Sequence, residues 1–279
     1  MTGQSKADFT IDELVCACIA RQVKDGEVVA QGLATPLVAV AYLLAWRTHA
    51  PHLYFASAIG QGVCKEGGPL GLQTVEALWL ERALTTFGFV QAAADLLPRL
   101  RPKEFFRPGQ VDRWGNFNNV AFGADYARPR LRMPGTGGIP DVTPILHEIH
   151  LYVPRHSRVT FVEKLDYCSG LGHHQARKHG AGPVYLVSDL AQFDFEGGQM
   201  RLTHLHPGVT FNRLQARTGF ELQMSDEIAE TPRPTIEELQ MLREIDPLGL
   251  RRLEFLSGSD RRAALREILT METTTLGGA

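Results

Sequence analysis

Along the chain, apolar and polar positions fall into two rhythms, one helical and one alternating. From Thr10 the rhythm is helical: a capping threonine, an acidic first turn at Asp12 and Glu13, apolar Leu14, Val15, Cys18 and Ile19, and Gly26 to close. Caps of this kind and terminal glycines are the usual punctuation of a helix. "EVVAQG" then reads as a short strand. "TPLVAVAYLLAWRTHAP" reads as a helix with Pro36 in its first turn and Pro51 beyond its end, and "LYFASAIG" as the next strand. Strand, helix and strand with short connections are the signature of a parallel crossover unit.

The middle of the chain is less regular. "TVEALWLERALTTFGFVQAAADLLPRL" carries helical periodicity, interrupted by an apolar stretch from Phe87 to Val90. A glycine- and proline-rich section from Arg107 to Pro144 follows, and loops of that length in a compact domain tend to be functional. "RVTFVEKLDYCSG" and "GPVYLVSDLAQFDFEGGQMRLTHLHPGVT" supply strand-like runs, with a hairpin turning at Gly197-Gly198. Thr235 and Glu238 form a capping box for a helix that Asp246-Pro247 stops, and one more helix is expected before the carboxyl end. The pattern predicts an α/β fold, an open, mostly parallel sheet with flanking helices. One domain is expected from 10 to 256, after a disordered stretch 1–9 and before a helix and tail over 257–279.

Composition narrows the partners. Of 279 residues, 44% are hydrophobic and 22% charged, enough for a substantial core. Lys and Arg total 29 against 31 Asp and Glu, a net charge of -2, which argues against a nucleic-acid backbone as partner. Arg128, Arg130 and Arg132 alternate along an extended segment, as a solvated strand face or as a phosphate contact. The apolar run from Ala34 to Trp46 is too short to span a bilayer, and "MTGQSKADFT" has no signal-peptide core, so no membrane partner is expected. Cys16, Cys18, Cys64 and Cys168 show no paired-metal spacing and read as reduced thiols of a cytoplasmic protein.

Three patterns are candidates for chemistry. For His147 with His150 in "HEIH", His173-His174, His179, and His204 with His206, no Asp or Glu pattern completes a zinc signature such as H-E-x-x-H, so no metal is expected. The turn "PGTGGIPD" exposes backbone N–H groups at Gly137 and Gly138. Either the glycines only make a tight turn, or those groups hold an anion or a developing oxyanion. In "GQVDRWGNFNNVAFG", Asn116, Asn118 and Asn119 either cap their own turn or present neutral donors to a substrate oxygen.

Several segments together carry a resemblance. They are "GEVVAQGLATPLVAVAYLLAWRTHAPHLYF", "GQVDRWGNFNNVAFGADYARPRLRMPGTGG", "FVEKLDYCSG", "VSDLAQFDFEGGQMRLTHLHPGVTFNRLQARTGFEL" and "TPRPTIEELQMLREIDP". In them the chain is similar to the β subunit of class I coenzyme A transferases of the glutaconate CoA-transferase type. Within that family it most resembles the β subunit of the steroid ring-opening CoA hydrolase. The resemblance implies an α-type partner subunit, commonly in an α2β2 assembly, and an acyl-CoA substrate. Coenzyme A enters as part of that substrate, with no permanently bound cofactor. It also implies an active site at the subunit interface. In the transferases a glutamate after the "AP" turn attacks the acyl-CoA, and the matching position here is Ala58, with no acid nearer than Glu66.

By the same resemblance the ring-opening hydrolases lack this glutamate, and their essential acid belongs to the α subunit. A related decarboxylase branch carries a cysteine near that position, and Cys64 is six residues away from it. Matched position by position, Gly137 and Gly138 face the thioester oxygen, Asn116 and Asn118 shape the pocket floor, and Ser57 and Ala58 line the space of the missing glutamate. The expectation is hydrolytic ring opening of a cyclic β-keto acyl-CoA. CoA transfer between acids and a non-catalytic scaffold are the alternatives.

Overall fold

Thr10 opens the first helix, α1 (Ile11–Ala20), and its N–H donates to the Glu13 side chain at 2.9 Å. The structure, a computed structural model, describes residues 8–32, 35–57, 62–68, 70–72 and 81–276. Ala58, the helical pattern over 73–80 and most of the amino-terminal stretch lie outside the described residues. All of α1 except Ile11 is buried. It stops at Ala20 rather than at Gly26, whose φ of +79° instead shapes the turn into β1 (Val28–Gln31). The chain crosses over through α2 (Pro36–Thr48) to β2 (Tyr54–Ser57), which lies parallel to β1 in register from Val28↔Tyr54 to Gln31↔Ser57. Leu37 through Ala45 are buried without a break, so α2 is enclosed on all sides, as its unrelieved apolar run requires. The strands β3 (Gly62–Cys64) and β4 (Thr85–Thr86) extend this sheet by antiparallel pairing.

By contacts the chain forms two compact units, Met1–Phe87 with Pro232–Ala279, and Gly88–Thr231. The second begins with a helical run over 89–100 whose middle, Ala92–Leu96, winds as a π-helix. Then come β5 (Lys103–Phe106), the two short pairs β6 (Gln110–Val111) with β7 (Phe117–Asn118) and β8 (Ala121–Phe122) with β9 (Leu131–Arg132), and the single turn α3 (Ile139–Val142). The sheet of this unit continues with β10 (Glu148–Val153), β11 (Gly182–Ser188), β12 (Ala191–Asp194), β13 (Arg201–Leu205) and, after α4 (Phe211–Ala216), β14 (Gln223–Glu230). Its order is β14-β13-β12-β11-β10-β5. The pairs β5/β10, β10/β11 and β13/β14 are parallel, while β11/β12 and β12/β13 are antiparallel. Gly197 and Gly198 turn the β12–β13 hairpin at φ +75° and +82°.

The α/β class with parallel strands and flanking helices is therefore present, with antiparallel hairpins added to it. One strand-like run does not form a strand. Residues 158–170 make only isolated bridges, Val111 to Phe161 and Phe117 to Gly170, because they wrap the β6–β7 hairpin rather than join a sheet.

At Pro232 the chain returns to the first unit. Thr235 and Glu238 cap α5 (Ile236–Ile245) reciprocally, at 2.7 and 3.1 Å. A 3-10 turn, Leu250–Glu254, and the long α6 (Gly258–Leu276) complete it. The turn does two structural jobs. Glu254 accepts the Leu37 N–H at 2.9 Å, placing a buried carboxyl acceptor at the positive end of α2. Arg251 sits among three buried carboxylates: Asp12 at 2.9 Å, Glu13 at 3.3 Å and Asp246 at 2.9 Å. Its Nε is close to Asp12 without hydrogen-bond alignment, so that contact is Coulombic. Arg243 reaches Glu13 from the other side at 2.8 Å.

Burial pushes the Glu13 carboxyl up, but hydrogen bonds from Arg243 and from the Thr10 N–H, with both arginine charges, hold it net below the usual carboxylate range. Removing one partner from such a cluster strands the others. Arg251→Leu is expected to lower unfolding free energy by about 3–5 kcal/mol in urea titration. Because the Glu13 pKa is depressed in the folded chain, its stabilisation is present above the ordinary carboxylate pKa. It is lost as pH falls through the folded value, and the urea midpoint should drop over that acid range.

Candidate functional site

In the first unit, β1 and β2 end side by side at Gln31 and Ser57, which are register partners. Loops following the carboxyl ends of parallel strands are the usual ligand positions in α/β folds. Ser57 is 1% exposed and Gln31 is 5% exposed. Cys64, on β3, pairs opposite Phe55 rather than beyond the strand end. Burial pushes its thiol up to about 11, so it is a protonated core thiol and no substitute for a nucleophile. Glu66 is exposed.

The second unit holds the other residues singled out by sequence. Asp112 organises the turn between β6 and β7. Its Oδ1 accepts the N–H groups of Trp114 and Asn116 at 3.0 and 2.9 Å, and its Oδ2 accepts Asn116 Nδ2 at 3.0 Å. Asn116 Oδ1 in turn accepts the Gly172 N–H at 2.8 Å. Gly115 has to be glycine here: its φ is +70°, and a Cβ would lie 2.6 Å from Pro183. Asn118 is fully buried. Its Nδ2 donates to Gln110 Oε1 at 2.7 Å and to Ala121 O at 2.8 Å, and its Oδ1 accepts the Val120 N–H at 2.8 Å. Of the two uses open to these amides, local bonding is the one the geometry displays; they shape the turn from within.

The "PGTGGIPD" loop is left-handed at Gly135, Gly137 and Gly138, with φ of +123°, +55° and +86°. The Ile139 N–H takes Thr136 O, and Asp141 and Val142 take Gly138 O. The N–H groups of Gly137 and Gly138 have no protein acceptor among the described residues, and a Cβ on Gly137 would meet nothing within 4 Å. The loop therefore offers two unclaimed backbone donors, with open space at the Cβ position of Gly137. Arg177, in the polar stretch "HHQARKHG", anchors the chain just beyond this loop. That guanidinium donates to Thr143 O at 2.9 Å, just past α3, to Gly172 O at 2.9 Å, to His179 O at 3.0 Å and to Leu171 O. Through Gly172 the same clasp joins the Asn116 turn to the glycine loop.

The histidines do not converge. His150 lies on β10 against Phe105 and Tyr185, and burial, reinforced by Lys103, pushes it down to about 3. His156 stacks on Phe161 at 3.5 Å between Ser188 and Thr218. His206 bonds Thr231 and the Ser188 carbonyl. No group of three His, Cys, Asp or Glu side chains among the described residues is placed to hold a metal. No described helix is long and apolar enough to cross a membrane. Sequence patterning also gives no sign of Glu104 on β5, a half-buried carboxyl that burial pushes up to about 8.

Comparison with known proteins decides the family. The chain is 30% identical over 263 residues to the β subunit of 3-oxoadipate CoA-transferase from Pseudomonas knackmussii, covering 85% of this chain and 94% of that one. It belongs to the CoA-transferase family. No family model matches it. A second relative is the cholesterol ring-cleaving hydrolase IpdB subunit of Rhodococcus jostii, 37% identical over 152 residues, 51% of this chain and 58% of that one. That alignment spans little more than half of IpdB. The crystal structure of R. jostii IpdAB matches over more, 90% of this chain and 100% of its own, at 27% identity and a TM-score of 0.73. The decarboxylase AibA/AibB is similar in structure at a TM-score of 0.77 and 30% identity, covering 88% of this chain and 98% of its own.

For this CoA-transferase chain, the internal bonding of Asn118 has a measurable consequence. Asn118→Ala would leave Gln110 Oε1, Ala121 O and the Val120 N–H short of partners, a loss of about 3 kcal/mol in unfolding free energy. A donor reserved for substrate would instead lose activity with an unchanged urea midpoint.

Proposed function

We propose that this chain is the β subunit of a heteromeric enzyme that opens a ring in a cyclic β-keto acyl-CoA by hydrolysis of a carbon–carbon bond, within steroid or alicyclic breakdown. An α-type subunit is the partner, in an α2β2 assembly, and contributes the essential acid. The observation that carries the reading is the pair of unclaimed N–H donors at Gly137 and Gly138. It is joined by the sequence match of Ala58 to the transferases' glutamate and by the likeness to the ring-cleaving IpdB and IpdAB.

In this reading a carboxylate of the partner takes a proton from water, and the hydroxide adds to the ring ketone carbon. The tetrahedral intermediate collapses to a carboxylic acid as the bond to the thioester α-carbon breaks. The released electron pair becomes the thioester enolate, and the proton held by the partner's acid goes to the α-carbon. Gly137 and Gly138 face the enolate oxygen, where charge develops only as the bond breaks, so their stabilisation acts on the transition state. An alanine at 58 cannot form the glutamyl thioester that CoA transfer requires. Ser57 and Ala58 instead line the space that the glutamate fills in transferases.

The relative matched over most of its length is a transferase, and that favours CoA exchange as the second reading. Incubating the assembled pair with an acyl-CoA and an acceptor acid, then treating it with hydroxylamine, separates the two. The expected result is a net carboxylic acid product and no trapped thioester on this chain; exchange of CoA with a trapped thioester would overturn the hydrolase. Gly138→Val, which moves the N–H by forcing φ out of its left-handed value, should cut kcat by about 10²–10³ at little-changed KM. Undiminished kcat in the folded variant would remove the oxyanion role.

A further inference from the structure

Most buried polar side chains among the described residues are paired, and Gln31 is the clearest departure. It is the last residue of β1, it is 5% exposed, and neither its Nε2 nor its Oε1 has a hydrogen-bond partner among the described residues. A primary amide buried with both polar atoms unmatched destabilises the fold that carries it, and an apolar side chain of the same shape would not. Packing is thus no reason for a glutamine here. Its position supplies another. Gln31 pairs in parallel register with Ser57, so the two side chains project from the same face of the sheet on neighbouring strands. Both sit at strand carboxyl ends, and Ser57 directly precedes Ala58, the position matched to the transferases' glutamate.

We infer that Gln31 is a substrate-binding residue whose Nε2–H donates to an oxygen carried by the acyl chain close to the thioester, with Oε1 available to an O–H group or a water. This deepens the proposed function and rests on its acyl-CoA reading. The amide is neutral at all accessible pH, and it can serve an oxo oxygen as donor and an enol hydroxyl as acceptor without changing charge. Alanine at 58, the position matched to the transferases' glutamate, brings no carboxylate of its own to repel such an oxygen. The site would therefore select acyl thioesters bearing an oxo group over plain aliphatic ones of equal length. A site that reserves a buried donor rejects ligands that leave it unpaired.

The test compares acetoacetyl-CoA with butyryl-CoA, two four-carbon thioesters that differ in one oxo group, on the chain assembled with its partner subunit. Binding is measured by calorimetry for the wild type and for Gln31→Met, a near-isosteric apolar replacement. The wild type should prefer acetoacetyl-CoA by about tenfold or more, and Gln31→Met should lose that preference. Without ligand, the Tm of Gln31→Met should hold or rise. A fall in Tm would give the amide a structural partner and overturn the inference, as would an undiminished preference in the variant or no preference in the wild type. Failure of the wild type to bind either thioester would sink the acyl-CoA reading itself, an outcome distinct from the loss of selectivity alone.

Discussion

A polar atom taken out of water must find a partner, and this constraint shapes the chain more visibly than its apolar core does. Asp12, Glu13 and Asp246 are held around Arg251. The Asn118 amide is distributed among Gln110, Ala121 and Val120. Arg177 gathers four carbonyls into one clasp. Each replaces water for polar atoms that burial has taken from it, in a helix end in the first case and in loops in the other two. The loop-heavy stretch between β5 and β10 is consequently a defined surface, built by side chains where a sheet would use its ladder.

What was legible in the sequence follows from the same division. The crossover of β1, α2 and β2 was readable because its signals are local: Pro36 in a first turn and an apolar run flanked by strand residues. The Thr235–Glu238 box and the Gly197-Gly198 hairpin were readable for that reason too. Residues 158–170 misled because Val159, Phe161 and Tyr167 alternate like a strand while the segment's neighbours come from the β6–β7 hairpin, far away in sequence. β14 was missed because "QMSDEIAE" is mostly polar and its apolar Met224 and Ile228 are too few to mark a strand face. In the site, the open N–H groups of Gly137 and Gly138 were foreshadowed by their spacing, whereas the choice between self-capping and ligand binding for Asn116 and Asn118 depended on distances. Arg177 was missed because nothing in "HHQARKHG" announces that its partners will be carbonyls.

The proposed chemistry divides labour between fixed donors and borrowed acid. Backbone N–H groups cannot be titrated away, a property that suits an oxyanion site. A family built on a carboxylate nucleophile could shed that residue and keep the remainder of the pocket. In the proposed reading, the chain's part in the chemistry resides in what its turns present rather than in an acid of its own.

The Arg251 cluster has a consequence for biosynthesis. Glu13 and Arg251 are 238 positions apart. At about 5–20 residues per second the ribosome needs roughly 12–48 s between them. During that interval the first helix carries buried-type carboxylates with no counter-charge, while the intervening unit, complete at Thr231, is synthesised in full. In a nascent chain the middle unit is therefore complete before the first helix meets its counter-charge at Arg251.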